Sequence, residues 1–320
     1  MIEAHQLTKR YGEKTAVDRL DFTVHPGTVT GFLGPNGAGK STTMRMIVGL
    51  DAPTAGTVSV NGRRYAQHSA PLQEVGALLE AKSIHPGRSA FDHLMAQAYT
   101  HGIPRRRVDE VIEMTGLQSV AKKRAGAFSL GMGQRLGIAA ALLGDPATVM
   151  LDEPVNGLDP EGVLWIRNLL TGLASEGRTV FVSSHLMSEM ALVADHLIVV
   201  GRGRLLADTT VADLVGQAGG DTVKVVTADP ARLRELLAGA GVEITGRAGS
   251  EELLVTGLEA RAIGTTAAEH GIAVYELTPR TVSLEQAFME LTADSVEFHA
   301  QLPARREPVH NGTEASPWQR

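Results

Sequence analysis

Residues 34–42, Gly-Pro-Asn-Gly-Ala-Gly-Lys-Ser-Thr, leave this chain few choices of fold. They fit G-x-x-x-x-G-K-[ST] through Gly34, Gly39, Lys40 and Ser41, with Pro35, Asn36, Gly37, Ala38 and Thr42 completing the run. The apolar stretch Val29–Leu33 before them suits a buried strand, and Thr43–Val48 after them is helix-like. In that setting the glycines let the backbone curl so that N–H groups face phosphate oxygens, and the helix adds its positive end. Lys40 is then placed to reach β- and γ-phosphates, and the Ser41 hydroxyl to hold Mg²⁺. A bare glycine-rich turn at a strand end is the duller alternative. The strand before and the helix after favour phosphate binding.

The rest of the chain continues the strand–helix pattern. Residues 75–79, Ala147–Leu151, Thr179–Ser183 and His196–Val200 read as short apolar strands, with helices over Gly162–Ala174 and Leu186–Ala194. Buried strands alternating with helices predict an α/β fold, a mostly parallel sheet covered on both faces. Strands are expected over Gln6–Tyr11 and Ala16–Val24, and a hairpin from Gly56–Val60 and Gly62–Tyr65 about an Asn61-Gly62 turn. Residues 85–144 read as mostly helical, with a helical subdomain over about 81–146. Past Gly216–Gly220, a linker candidate, the order strand, helix, strand, strand, helix, strand fits a small ferredoxin-like α+β domain. A helix over Leu284–Leu291 follows. The expected division is 1–216, 217–293 and a disordered tail over 294–320.

The 320 residues suffice for about two domains of roughly 100–200 residues each. A net charge of −6 and 4% aromatic content argue against a nucleic-acid partner. Without cysteine the chain has no disulfide, thiolate metal site or cysteine nucleophile. The N-terminus lacks the apolar core of a signal peptide, and no stretch reaches the roughly 18 apolar residues of a membrane span. The best candidate, Thr179–Val200, is broken by His185, Glu189, Asp195 and His196. Any membrane partner is therefore served from the water side.

A second constellation ends the apolar run Thr148–Leu151: Asp152 and Glu153. Two carboxylates at the end of a buried strand are costly without a partner. A magnesium nucleotide beside the strand supplies one, with Asp152 bonding the ion or its water and Glu153 polarising the attacking water.

On these motifs the chain resembles the ATP-binding subunits of ABC transporters over about residues 2–216. It is most similar to the drug, bacitracin and lantibiotic resistance exporter type. The resemblance implies a P-loop ATPase core with a helical subdomain, binding and hydrolysing ATP with Mg²⁺. It implies a separate transmembrane permease, served peripherally from the cytoplasmic face of the cell membrane and exporting a drug, peptide antibiotic or lipid-like substrate. It also implies a pair of ATP-binding subunits, a homodimer or pseudo-symmetric heterodimer, sandwiching two nucleotides. Tyr11 stands where the family stacks an aromatic on adenine, although the same flat face suits packing on a core. Phe128-Ser129-Leu130-Gly131-Met132 stands at the signature element LSGGQ, keeping the serine and second glycine that contact the other subunit's ATP. Asn156-Gly157-Leu158-Asp159 matches the loop through which subunits communicate; Asp159 before Pro160 serves equally as a helix cap. His185 in Ser183-Ser184-His185 matches the switch histidine at the γ-phosphate. A soluble relative acting on ribosomes or DNA fits less well, because the chain has one nucleotide loop and no sustained heptads.

Glu80 is a departure. It follows the strand whose end usually gives the family a glutamine for Mg²⁺ and the attacking water. Ionised glutamate offers only acceptors and a full negative charge. Glu80 is thus expected to be a conditional Mg²⁺ ligand that lowers turnover, or else an exposed residue starting a loop.

Overall fold

The structure, a computed structural model, describes residues 1–80, 84–218, 222–247, 249–280 and 282–295. The tail expected over 294–320 falls, from 296 onward, outside the described residues, as do 219 and 220 of the expected linker 216–220.

Long strands open the chain. β1 (Ile2–Tyr11) and β2 (Lys14–Val24) pair antiparallel, burying Ile2, Ala4, Leu7, Val17, Leu20 and Phe22. β3 (Val29–Leu33) is buried at every residue, as a strand covered on both faces must be. It leads through residues 34–39 into α1 (Lys40–Ile47). β4 (Ala55–Val60) pairs with β1, closing a three-stranded sheet of order β2-β1-β4. The expected local hairpin does not form. The Asn61-Gly62 turn is made, with both residues at positive φ, but only Val60 and Arg63 bridge across it and Tyr65–Gln67 makes a single 3-10 turn. β1 offers β4 a long partner with Ile2, Ala4 and Leu7 to bury, whereas Arg63 and Arg64 have nothing to bury.

After α2 (Pro71–Glu74) and β5 (Val75–Leu78) come three helices, α3 (Ala90–Thr100), α4 (Arg105–Met114) and α5 (Leu130–Leu142). β6 (Thr148–Asp152), α6 (Pro160–Ser175), β7 (Thr179–Ser183), α7 (Met187–Val193), β8 (His196–Gly201) and β9 (Arg204–Thr210) then complete a six-stranded sheet. Its order is β5-β6-β7-β3-β8-β9, parallel except for β9. One face packs on the three-stranded sheet and α1, where the rings of Phe22, Phe32 and Phe181 meet at centroid distances of 5.0–6.0 Å. The other face packs on α5, α6 and α7, and that core runs on into α3 and α4.

α8 (Val211–Ala218) runs into the glycine-containing segment expected to be a linker. Beyond it lie β10 (Thr222–Thr227), α9 (Pro230–Leu237), β11 (Glu243–Thr245), β12 (Glu252–Thr256), α10 (Ala260–Glu269) and β13 (Val274–Arg280). These strands form a separate antiparallel sheet of order β11-β12-β10-β13, the pattern of a split βαβ unit, with its own core around Val225, Leu233, Val255 and Ile263. The final helix, α11 (Leu284–Thr292), does not stay with that sheet. Leu284 and Ala287 join the core of the first unit, with Leu214 of α8 and Met187, Met190 and Val193 of α7. The second unit is therefore bracketed between two helices of the first, which moves the expected boundaries at both ends. Among the described residues, no helix is long and apolar enough to cross a membrane.

Candidate active site

Parallel strands deliver their functional residues to one edge because their carboxyl ends coincide. Asp152 at the end of β6 lies opposite Ser183 at the end of β7, and β7 neighbours β3, which runs into residues 34–42. The Gly39 backbone, at φ +100°, is one that favours glycine, and a Cβ there would sit 2.5 Å from the Ala16 carbonyl. That conformation turns the chain directly into α1, whose first two residues are Lys40 and Ser41.

The side chains meet in a continuous chain of contacts. The Ser41 hydroxyl donates to Asp152 Oδ2 at 2.8 Å, and the Ser183 hydroxyl donates to Asp152 Oδ1. The Glu153 N–H donates to Ser183, 3.2 Å from its carbonyl oxygen and 3.1 Å from its hydroxyl. His185 Nδ1 lies 2.6 Å from Glu153 Oε2, and the His185 N–H reaches the same oxygen at 3.3 Å. An ionised carboxylate only accepts, so Nδ1 carries the proton of that bond and the imidazole orientation is fixed. Lys40 is buried and folds back on the loop, donating to the carbonyls of Gly34 at 2.5 Å and Pro35 at 3.3 Å. Burial lowers its ammonium below the ordinary lysine value, while Glu153 and Asp152 push it back up. An added anion near Lys40 would favour the charged form further.

Other expected residues lie apart from this cluster. Tyr11 does not pack on the core: the residue is 49% exposed. Its hydroxyl donates to Asp51 Oδ2 at 3.0 Å, Arg45 holds Asp51 at 2.8 Å, and Lys9 Nζ lies 5.0 Å from the ring centroid. Burial and the Asp51 bond raise the Tyr11 phenol above its usual value. Ser129 is the N-cap of α5, accepting from the Met132 N–H at 3.2 Å. A Cβ on Gly131 would lie 2.7 Å from the Gly157 carbonyl, so residues 129–131 pack against the 155–158 loop of their own chain. Asp159 caps α6 through the Gly162 N–H at 2.9 Å.

Glu80 stands beyond the end of β5, the strand beside β6. It shares with Arg45, Leu79, Ile84 and His93 the lining of an open cavity of about 380 Å³. Its charge adds to those that raise the Arg45 guanidinium, after the larger effect of Asp51. Among the described residues no three carboxylate or imidazole side chains converge as a metal site. Ser41 and Asp152 nonetheless fit Mg²⁺: they are adjacent hard oxygen donors, and this ion commonly takes one or two protein oxygens, with phosphates and water supplying the rest.

Two residues make contacts that no motif assigned to them. Ser183 joins Asp152 to Glu153, and only the strand register brings it there. Gln134 is a polar residue within an otherwise apolar helix, and its Nε2 donates to the Glu153 carbonyl at 3.1 Å. The helical pattern of α5 put Gln134 in a helix without saying which way its amide faced.

Known proteins resemble this chain in sequence and in fold. The family described as "ABC transporter" matches residues 17–156, and a domain of unknown function matches residues 221–285. The bacitracin transport ATP-binding protein BcrA of Bacillus licheniformis is 43% identical over 211 residues, 65% of this chain and 69% of that protein. The linearmycin resistance ATP-binding protein LnrL of Bacillus subtilis is 33% identical over 310 residues, 91% of this chain and 98% of that one. A dimeric structure of the bacterial ABC transporter cassette MJ0796 superposes with a TM-score of 0.61 at 25% identity, over 66% of this chain and 98% of that one.

Proposed function

This chain belongs to the family of ABC transporter ATP-binding proteins, and from that premise we propose how its residues hydrolyse ATP and what the hydrolysis drives. The observation that carries the proposal is the linked set Ser41, Asp152, Ser183, Glu153 and His185 at one sheet edge, beside the loop 34–42 and its buried Lys40.

The triphosphate lies on the backbone of residues 34–42, with the start of α1 favouring its charge. Tyr11, held by Asp51, stacks on the adenine. Lys40 leaves the Gly34 and Pro35 carbonyls for the β- and γ-phosphates. Ser41 and Asp152 hold Mg²⁺, which when bound offsets phosphate charge. Glu153 accepts a proton from the water that attacks the γ-phosphorus in line as the bond to the β-phosphate oxygen breaks, leaving ADP and phosphate. His185, oriented by Glu153, faces the γ-phosphate. Ser129 and Gly131 complete the site of the other subunit, and Asp159 lies in the loop between the two.

A pair of such chains energises a separate permease, bound peripherally at the cytoplasmic face of the membrane. The cavity lined by Leu79, Ile84 and, on α3, His93 and Gln97 is suited to receive a helix of that partner. Likeness to bacitracin transport and linearmycin resistance proteins supports export of a drug, peptide antibiotic or lipid-like compound.

The test is Glu153→Gln in the purified full chain. It should bind Mg·ATP as the parent does, while hydrolysis falls at least about 100-fold, the size of effect a positioned general base contributes. Retained hydrolysis would remove Glu153 from the role of base.

A further inference from the structure

We propose that Gln134 is a positioning residue for Glu153, so that α5 sets the direction of the catalytic carboxylate. This rests on the reading of Glu153 as the base.

Glu153 sits at φ +52°, a left-handed backbone that non-glycine residues seldom adopt and that needs support from its surroundings. The support comes from both sides of the residue. Its N–H is held by Ser183 on β7, and its carbonyl accepts from Gln134 Nε2 on α5. The φ and ψ angles between these two anchors fix the Cα–Cβ direction, and with it the side chain that His185 meets at 2.6 Å. Releasing the carbonyl leaves one anchor, and a misplacement of about 1 Å can cost a reaction some 100-fold.

The chemistry of position 134 points the same way. The side chain is 3% exposed, and the buried side chains beyond it on α5, Leu136, Ile138, Ala139 and Leu142, are all apolar. An apolar residue would fill the space at less desolvation cost; the amide is instead directed at one main-chain carbonyl, that of the base. Five residues earlier lies Ser129, the N-cap of the same helix. Gln134 therefore ties the base of one site to the helix whose first turn is assigned to the other subunit's ATP.

Gln134→Met, close in size and without the donor, tests this in the full chain. The expected result is kcat lowered about 10-fold or more, with KM for ATP and the ATP-induced shift in Tm unchanged. In a Glu153→Gln background the same substitution should leave the residual rate unchanged, because no carboxylate remains to be aimed. Unchanged kcat in the single variant, or an equal fractional loss in the Glu153→Gln background, overturns the proposal. If Gln134→Met does not fold, Gln134→Asn keeps the amide one methylene short and is judged by the same two rates. Should Glu153→Gln itself retain hydrolysis, the reading of the base fails, and the aim proposed for Gln134 is overturned with it.

Discussion

At the scale of single residues, the site is built so that charge is already opposed before a nucleotide arrives. Lys40 is buried against carbonyls while Asp152 is held by two hydroxyls. Triphosphate binding replaces weak dipolar partners of Lys40 with full charges. ATP at a hundredfold its Kd stabilises a binding-competent chain by about 2.7 kcal/mol. Lys40→Ala should lose most of that gain, read as the ATP-induced shift in Tm. Glu80 poses the opposite case, a negative charge facing the same cleft as Arg45. Two charges about 4 Å apart in water interact by about 1 kcal/mol. Relieving repulsion of that size by Glu80→Gln predicts turnover raised about fivefold and a changed dependence on Mg²⁺ concentration, measured by steady-state phosphate release. An unchanged rate and unchanged Mg²⁺ dependence would leave Glu80 as a residue of the partner cleft alone.

At the scale of elements, the two nucleotide-loop flanks and the strand ends were legible because each carries a local signal: an apolar run, then residues whose chemistry is costly to bury. β3 and β7 lie within the bounds their apolar runs indicate. What was not legible is pairing at a distance. The Asn61-Gly62 turn is written locally, but the choice of β1 as partner for β4 depends on residues about 55 positions away. The return of α11 to the first unit is likewise decided by apolar faces on α7 and α8, which no local pattern reveals. Leu284 is 4% exposed in that seam, so Leu284→Ala should cost about 2–5 kcal/mol. The loss should appear in the unfolding transition that ATP shifts, although residue 284 lies beyond the second sheet. Charge also ties helix α4 to the strands. Arg107 and Arg178 both reach Asp145, at 3.1 and 2.8 Å. Burial pushes the Asp145 carboxyl up, but the bond from Arg178 and the charges of Arg107 and Arg178 outweigh it and hold the pKa below its usual 3.8. A carboxylate with a depressed folded pKa stabilises the fold above its ordinary value, and the stabilisation fades as pH falls through the lower one. Asp145→Asn keeps a residue suited to the φ of +53° and removes only the charge. Its Tm should lie below the parent's at pH 7, by a deficit worth about 0.2–1 kcal/mol for each exposed pair, and the two should converge only as pH falls from 3.8 through the lowered value of the folded carboxyl.

At the scale of the molecule, one chain of the proposed pair holds half of two sites. The nucleotide loop and Glu153 belong to one, while Ser129 and Gly131 pack against the 155–158 loop of their own subunit and, in the proposed pair, face the nucleotide of the other. Ser129 has two separable duties, and substitution can divide them. Its hydroxyl caps α5, a duty aspartate performs as well as serine. Its proposed contact with the partner's phosphate tolerates a neutral donor and opposes an anion. With hydrolysis blocked by Glu153→Gln, Mg·ATP should convert the chain to a dimer by light scattering after gel filtration. Adding Ser129→Asp should leave the monomer as stable and ATP binding intact, yet abolish that dimer, whereas Ser129→Asn should keep both. A dimer that survives Ser129→Asp would place residues 129–131 outside the shared site, leaving them only the cap and the packing against Gly157 that a single chain already provides.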